Sequence, residues 1–190
     1  CVLEKGSEVG AHILSGAVID PKALNELISD WQKQGAPLHT KVTKDSFQFL
    51  TSKRAYKLPT PPQMRNHGNY IISLGNLCRW LAGIAESLGV EIFPGFAGAE
   101  LLLENEKVIG VATGDVGVSK TGEHKPSYQQ GMALLAKQLV LTEGARGFLT
   151  EQVIKKFNLR VHAEPQTYGI GLKEIWEVDP KLHHAGEVVH

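Results

Sequence analysis

The stretch that decides the fold is residues 1–21, CVLEKGSEVGAHILSGAVIDP. Its first four residues, CVLE, predict a short buried strand that ends at Glu4, and a loop with three glycines follows. In a Rossmann-type fold, an acid at the end of the second strand binds the hydroxyl groups of a ribose. That arrangement also needs a glycine-rich turn about 20 residues earlier, and this sequence has no residues there. Glu4 is therefore either a solvent-facing acid at a loop or one half of a nucleotide site.

The composition is that of a globular protein with a substantial core. Of the 190 residues, 42% are hydrophobic, and 20 basic side chains balance 20 acidic ones. A net charge of zero gives no electrostatic basis for binding nucleic acid. The two cysteines, Cys1 and Cys78, form neither a disulfide framework nor a metal motif, so no metal site is predicted. Because the chain begins inside a predicted strand and without Met, we interpret it as an internal fragment.

The first half of the chain predicts two helices and a hairpin. Pro21 suits the first turn of a helix capped by Asp20, and an apolar stripe at helical spacing continues from there to Trp31. Residues 41–59 alternate polar and apolar side chains, which is typical of an antiparallel hairpin. Leucine and isoleucine recur at helical spacing over residues 74–88, and the glycine that follows is a natural C-cap.

The second half predicts more strands and one further helix. Residues 90–96 predict a short strand, and residues 97–118 predict a strand pair with a charged turn. Residues 137–157 predict a strand, a glycine-containing turn and an amphipathic helix, and residues 164–178 predict another strand. Helices mixed with both hairpins and strand-turn-helix units indicate the α/β class, of the mixed α+β kind, with a mixed sheet.

Two further stretches are candidate ligand sites. The small residues of GAHILSG, residues 10–16, let a backbone approach a flat ligand or a pyrophosphate closely, although an ordinary loop explains them too. In LTEGARGFL, residues 141–149, a glycine turn before a helix predicts free N–H groups and an anion site, although such connections are common. No Gly-x-Ser-x-Gly elbow and no GKS or GKT phosphate loop is present. The residues alone thus predict an α/β fragment that binds a nucleotide-like cofactor.

Taken in order, four long stretches resemble the electron transfer flavoprotein–ubiquinone oxidoreductase family. They are residues 2–21, 67–102, 110–153 and 164–178, so the resemblance runs across essentially all 190 residues. Within them, GDVGVSKTGE (residues 114–123) and PQTYGIGLKE (residues 165–174) are specific to this family, beyond flavoproteins in general.

The resemblance implies a fragment of an FAD-binding, Rossmann-like flavoprotein domain with an inserted antiparallel-sheet region. The first strand and the GxGxxG turn would be missing from this fragment. Residues 1–32 would be the remainder of the FAD-binding domain with a membrane-interface segment, and residues 33–70 the inserted hairpin and loop region. Residues 71–160 would continue the FAD-binding domain, and residues 161–190 would begin a quinone-binding domain.

The resemblance also implies an activity. Such enzymes are monotopic membrane proteins that carry FAD and one [4Fe–4S] cluster, and they pass electrons from the soluble electron transfer flavoprotein to ubiquinone. They lie in the mitochondrial inner membrane or the bacterial cytoplasmic membrane. The cluster cysteines and the glycine pair near the quinone would lie outside this sequence, so the fragment alone would be inactive. No catalytic side chain is assigned, because outer-sphere electron transfer needs no general acid or base.

The resemblance implies nine cofactor-binding residues in four groups. Glu4 corresponds to the acid that holds the adenosine ribose of FAD. Leu14, Ser15 and Gly16 correspond to the loop against the flavin, and Ala97 and Gly98 to the strand end near the adenine. Glu143, Gly144 and Ala145 correspond to a second FAD turn. Glu143 precedes the glycine of its turn, so it receives no firm ligand role. Ser73 stands where many related flavoproteins have an arginine, which puts one phosphate contact in doubt.

Two other functions and one structural alternative remain open. A geranylgeranyl-reductase-like or hydroxylase-like flavoprotein would share the FAD fold and act on a lipid-like substrate. A non-catalytic interaction module would bind no flavin at all. Residues 9–30 are too polar to span a bilayer and would lie in its interface, or their apolar side chains, from Leu24 to Trp31, would pack in the core.

Overall fold

The computed structural model describes residues 1–14 and 16–190, which form two compact units. Unit 1 comprises Cys1–Glu8 and Glu91–Leu172, and unit 2 comprises Val9–Val90 and Lys173–His190. Ser15, one of the nine predicted cofactor-binding residues, lies outside the described residues. The functional assignments of the four predicted ranges stay predictions.

Among the described residues, runs of strands are separated by three α-helices and one 3₁₀ turn. In order they are β1 Val2–Glu4, β2 Ala17–Ile19, α1 Lys22–Leu27, β3 Thr40–Lys41, β4 Lys44–Leu50, β5 Ala55–Leu58, a 3₁₀ turn at Pro62–Met64, β6 Tyr70–Ile72, α2 Leu74–Ser87, β7 Ile92–Pro94, β8 Gly98–Glu104, β9 Lys107–Thr113, β10 Val116–Val118, β11 His124–Gln129, β12 Ala133–Leu135, α3 Phe148–Lys156 and β13 Glu187–Val189. The predicted mixed α/β class is confirmed, but the strands form several small sheets instead of one.

Unit 1 is built around a parallel strand pair and an antiparallel sheet. Strand β1 pairs in parallel with β7, with Val2 opposite Ile92. Strands β8 and β9 form the predicted antiparallel pair, and β12 extends their sheet beyond β9. Strands β10 and β11 make a separate antiparallel pair. Helix α3 covers the three-stranded sheet, because Leu149 is buried against Leu101 and Val111.

Unit 2 is built around helix α2 and two three-stranded sheets. The prediction for residues 74–88 is confirmed: Ser73 caps the helix by accepting a hydrogen bond from the Asn76 N–H, and Gly89 follows it at a φ of 87°. One sheet has the order β2-β6-β3, and the other places β4 between β13 and β5. The predicted hairpin is β4 and β5, and β13 adds to it in parallel. The core joins α1, α2 and β6 through Leu24, Leu77 and Ile72.

Three predicted elements differ from the structure. Residues 164–178 and residues 137–142 form no strand, because within the described ranges no neighbouring strand supplies their backbone hydrogen bonds. The third strand of the β8–β9 sheet is Ala133–Leu135, which pairs with β9. Helix α1 begins one residue after Pro21 and ends at Leu27, short of Trp31. The chain turns instead, and the Trp31 indole N–H donates to the Asn25 side chain over 2.7 Å.

Candidate functional site

The site begins at Glu4, where β1 ends. The parallel pairing of β1 with β7 fixes its backbone, and its carbonyl accepts a hydrogen bond from the Phe96 N–H over 3.1 Å. One carboxylate oxygen accepts from the Gly6 N–H over 2.5 Å, which holds the side chain at the strand end. Within the described residues the other oxygen has no protein donor, so it is available to a hydroxyl group. Glu4 thus has the placement that a ribose contact requires.

Ala97 and Gly98 lie next to Glu4 in unit 1. Ala97 follows directly on Phe96, and its own carbonyl accepts from the Gly114 N–H over 3.2 Å. Gly98 begins β8, and a Cβ atom there would lie 2.8 Å from a methyl carbon of Leu149. The structure therefore gives Gly98 a packing reason to be glycine, since it lets α3 approach the sheet closely.

The side chain of Glu143, five residues before α3 begins in the sequence, caps this helix. Its carboxylate accepts hydrogen bonds from the Leu149 N–H over 3.2 Å, and from the N–H and the hydroxyl of Thr150 over 2.7 Å each. Gly147 permits this, because a Cβ atom there would lie 2.5 Å from the Cβ of Glu143. The chain's own carboxylate thus occupies the helix N-terminus at which the sequence predicted a site for a ligand anion. Ala145 and Arg146 form the turn that this contact closes, and Gly144 precedes it with a φ of 78°.

The same hydrogen bonds set the ionisation of Glu143. Partial burial acts to raise the pKa of its carboxyl group, but the bonds from the Thr150 hydroxyl, the Thr150 N–H and the Leu149 N–H together outweigh burial and hold the pKa below its usual value. A carboxylate with a lowered folded-state pKa stabilises the fold above its unfolded-state value, about 4.3. That stabilisation is lost as the pH falls through the lower folded-state pKa.

We expect Glu143→Ala to loosen the start of α3. At pH 7 the Leu149 and Thr150 amides should exchange with solvent about fivefold faster in the full-length protein, which corresponds to the loss of about 1 kcal/mol for a helix cap. The matched control is Glu151→Ala, on the first turn of the same helix. The difference between wild type and Glu143→Ala should shrink as the pH falls below about 4. Equal exchange in both variants at pH 7 would show that the cap contributes nothing.

The predicted flavin loop, residues 14–16, belongs to unit 2. Leu14 is 59% exposed. Gly16 has a φ of 83°, a conformation that favours glycine, and its carbonyl accepts a hydrogen bond from the Lys173 ammonium group. Further back, Gly10 packs on the start of α2, since a Cβ atom there would lie 2.9 Å from the Gly75 carbonyl oxygen.

Six of the nine predicted residues share one compact unit. They lie in unit 1, where the Phe96 N–H links the end of β1 to the strand end at Ala97, and Leu149 links Gly98 to Glu143; the six are Glu4, Ala97, Gly98, Glu143, Gly144 and Ala145. A separate cleft of about 590 Å³ lies in unit 2, with Trp31, Lys41 and Tyr70 among its walls, and none of the nine residues lines it.

The residues of this chain do not fit an iron–sulfur cluster. A [4Fe–4S] cluster needs four cysteine ligands, and the sequence has two, of which Cys1 is exposed and Cys78 half-buried. Over residues 1–14 and 16–190, no group of three or more His, Cys, Asp or Glu side chains is placed to hold a metal ion. In the same described ranges, no helix is long and apolar enough to cross a membrane.

The fold and the site define a mixed α/β protein in which an acid ends a parallel strand beside a glycine-rich strand end. Over its whole length the chain is 56% identical to the mitochondrial electron transfer flavoprotein–ubiquinone oxidoreductase of Dictyostelium discoideum. It is 58% identical to the enzyme of the same name from Pseudomonas aeruginosa, and 50% identical to the mitochondrial one from Bos taurus. These matches confirm the resemblance to the electron transfer flavoprotein–ubiquinone oxidoreductase family.

The chain spans about a third of the length of these relatives: 32% of the Dictyostelium protein, 36% of the Pseudomonas protein and 31% of the bovine protein. No family model matches the chain. Among solved structures, it is similar to CtdE in complex with FAD and substrate 4, at 17% identity and a TM-score of 0.37, over 58% of this chain and 27% of that one.

Proposed function

We propose that this chain is part of a membrane-associated FAD and iron–sulfur enzyme that passes electrons from reduced electron transfer flavoprotein to ubiquinone. The observation that carries the proposal is the identity of 49–58% over the whole chain to proteins whose names state the donor and the acceptor. Relatives from Dictyostelium, Arabidopsis and cattle are named mitochondrial, and others are bacterial. The proposed location is therefore the mitochondrial inner membrane or the bacterial cytoplasmic membrane.

In this proposal Glu4 holds the ribose of FAD through the carboxylate oxygen that accepts no hydrogen bond from the described part of the chain. Ala97 and Gly98 bring the strand end close to the adenine, and Leu14, Ser15 and Gly16 lie against the flavin. Gly144 and Ala145 offer backbone groups at the second turn. The carboxylate of Glu143 is already engaged by α3, so its proposed role is to hold that turn in place.

A bound FAD supplies the redox chemistry, and the protein supplies binding, orientation and electrostatics. We assign no general acid or base to this chain. The proposed cluster would take its ligands from cysteines outside this sequence, because the two present here do not fit it. The exposed side chains of Leu14 and Leu27 support an interfacial segment within residues 9–30, whereas Leu24 and Trp31 are buried in the core.

The test uses the full-length protein that contains this sequence, purified in detergent. We expect flavin and iron–sulfur absorbance that bleaches when reduced electron transfer flavoprotein is added and returns when a short-chain ubiquinone follows. Flavin bands without cluster absorbance, and no response to this donor, would favour the geranylgeranyl-reductase-like or hydroxylase-like function. The absence of any bound chromophore would favour an interaction module.

A further inference from the structure

We infer that Lys173 is a positioning residue for the proposed flavin loop, which it holds through the carbonyl of Gly16. The inference rests on the proposed function, because it takes residues 14–16 as the loop that lies against the flavin. The contact itself is structural: the Lys173 ammonium group donates to the Gly16 carbonyl oxygen across a sequence separation of 157 residues.

The segment before β2 makes contacts at Gly10 and at Gly16, and Lys173 acts at Gly16. Gly10 packs against the Gly75 backbone at the start of α2. Gly16 leads directly into β2, whose pairing with β6 begins at Ala17. Gly16 has a φ of 83°, and its carbonyl accepts the hydrogen bond from Lys173. The ammonium group thus secures the peptide at which the loop becomes a strand.

Lys173 also marks the point at which the chain returns to unit 2, whose second segment begins with this residue. On either side of it the chain is open to solvent, because Leu172 is 94% exposed and Ile175 is 92% exposed. Among the described residues 169–178, only Lys173 makes a hydrogen bond to another segment. This contact therefore holds Lys173 against Gly16.

The contact also places a positive charge beside the proposed flavin loop. Among the described residues, Lys173 has no carboxylate partner, so its positive charge is not neutralised by an ion pair. A charge near a flavin tunes its electronics, and because reduction adds negative charge, a nearby cation favours the reduced state. Lys173 is thus expected to affect both the affinity for FAD and the midpoint potential of the flavin.

The experiment compares three variants of the full-length protein. Lys173→Met removes the donor and the charge, Lys173→Arg keeps both, and Lys181→Met removes an exposed lysine from the same segment as a control. Lys173→Met should weaken FAD binding about fivefold to tenfold and shift the midpoint potential to more negative values. The amides of residues 9–16 should also exchange faster in the apoprotein. Lys173→Arg should restore all three properties, and Lys181→Met should match wild type.

The outcomes separate this inference from the proposed function. If wild type binds FAD and Lys173→Met matches Lys181→Met in affinity, potential and amide exchange, the role of Lys173 is overturned and the proposed function stands. Faster loop exchange with unchanged FAD affinity and potential would also overturn the role, since Lys173 would then hold the loop without any effect on the flavin. If wild type binds no flavin, the proposed function fails and this role fails with it.

Discussion

Glu4→Ala is expected to weaken the binding of FAD to the full-length protein about 100-fold, because hydrogen bonds from both ribose hydroxyls to a charged acceptor would be lost. The carboxylate lies at the end of β1, where one oxygen is held by the Gly6 N–H and the other has no donor among residues 1–14 and 16–190. The measurement is a titration of the apoprotein with FAD, followed by the quenching of flavin fluorescence.

Two further variants make the result for Glu4 specific. Glu4→Gln keeps an acceptor for the Gly6 N–H but lacks the charge, so it should weaken binding about tenfold. Glu91→Ala removes an exposed acid at the residue before β7, in the same unit, and should leave the affinity unchanged. Equal affinities for Glu4→Ala and Glu91→Ala would place the ribose contact on another residue.

Gly110→Ala is expected to lower the free energy of unfolding by about 3 kcal/mol, because its methyl group would overpack a sheet interior. Gly110 lies in β9, and a Cβ atom there would be 2.1 Å from the carbonyl oxygen of Leu134 in β12. The obstacle is backbone held in a strand ladder, so no side chain can rotate away to relieve it. Urea unfolding of the full-length protein, with amide exchange in β9 and β12 to locate the change, measures the loss.

Gly83→Ala serves as the control for Gly110. Gly83 lies in α2, and a Cβ atom there meets nothing within 4 Å. Alanine at this position should stabilise the protein by about 0.5 to 1 kcal/mol, because glycine inside a helix has a higher conformational entropy to lose. A similar destabilisation by both substitutions would mean that the crowding at Gly110 relaxes at little cost.

Local patterns were enough to predict the elements whose stability depends on neighbours in sequence. The helix at residues 74–88 has an apolar repeat, a capping serine and a glycine after its end, and the structure contains it with nearly the same bounds. The hairpin of β4 and β5 and the pair of β8 and β9 likewise join segments close in sequence.

Elements that depend on distant partners were not predictable in the same way. Residues 164–178 have a strand-like composition, yet a strand also requires a neighbour, and among the described residues none lies beside them. Strand β13 was missed because its partner, β4, lies more than 140 positions away; Glu187 pairs with Lys44. Sequence alone could not supply these pairings, because alternation identifies a face of a strand but not its neighbour.

The site shows the same division. The position of Glu4 at a strand end followed from CVLE alone, and the structure places it there. The capping role of Glu143 could not be predicted from the sequence. The N–H groups that donate to its carboxylate belong to residues six and seven positions further along the chain, beyond the spacing of ordinary capping motifs. The one sequence signal for this cap was Gly147, directly before the helix, because a glycine there leaves room for the side chain of a residue outside the helix.

The pairing of Val2 with Ile92 has a consequence for how the protein is made. Strand β1 emerges from the ribosome about 90 residues before its partner, with all of Val9–Val90 synthesised between them. At about 5 to 20 residues per second, that interval lasts roughly 5 to 20 seconds. During this time the edge of the nascent strand that later pairs with β7 lacks this partner, which it gains only when residues from the next segment of unit 1 arrive.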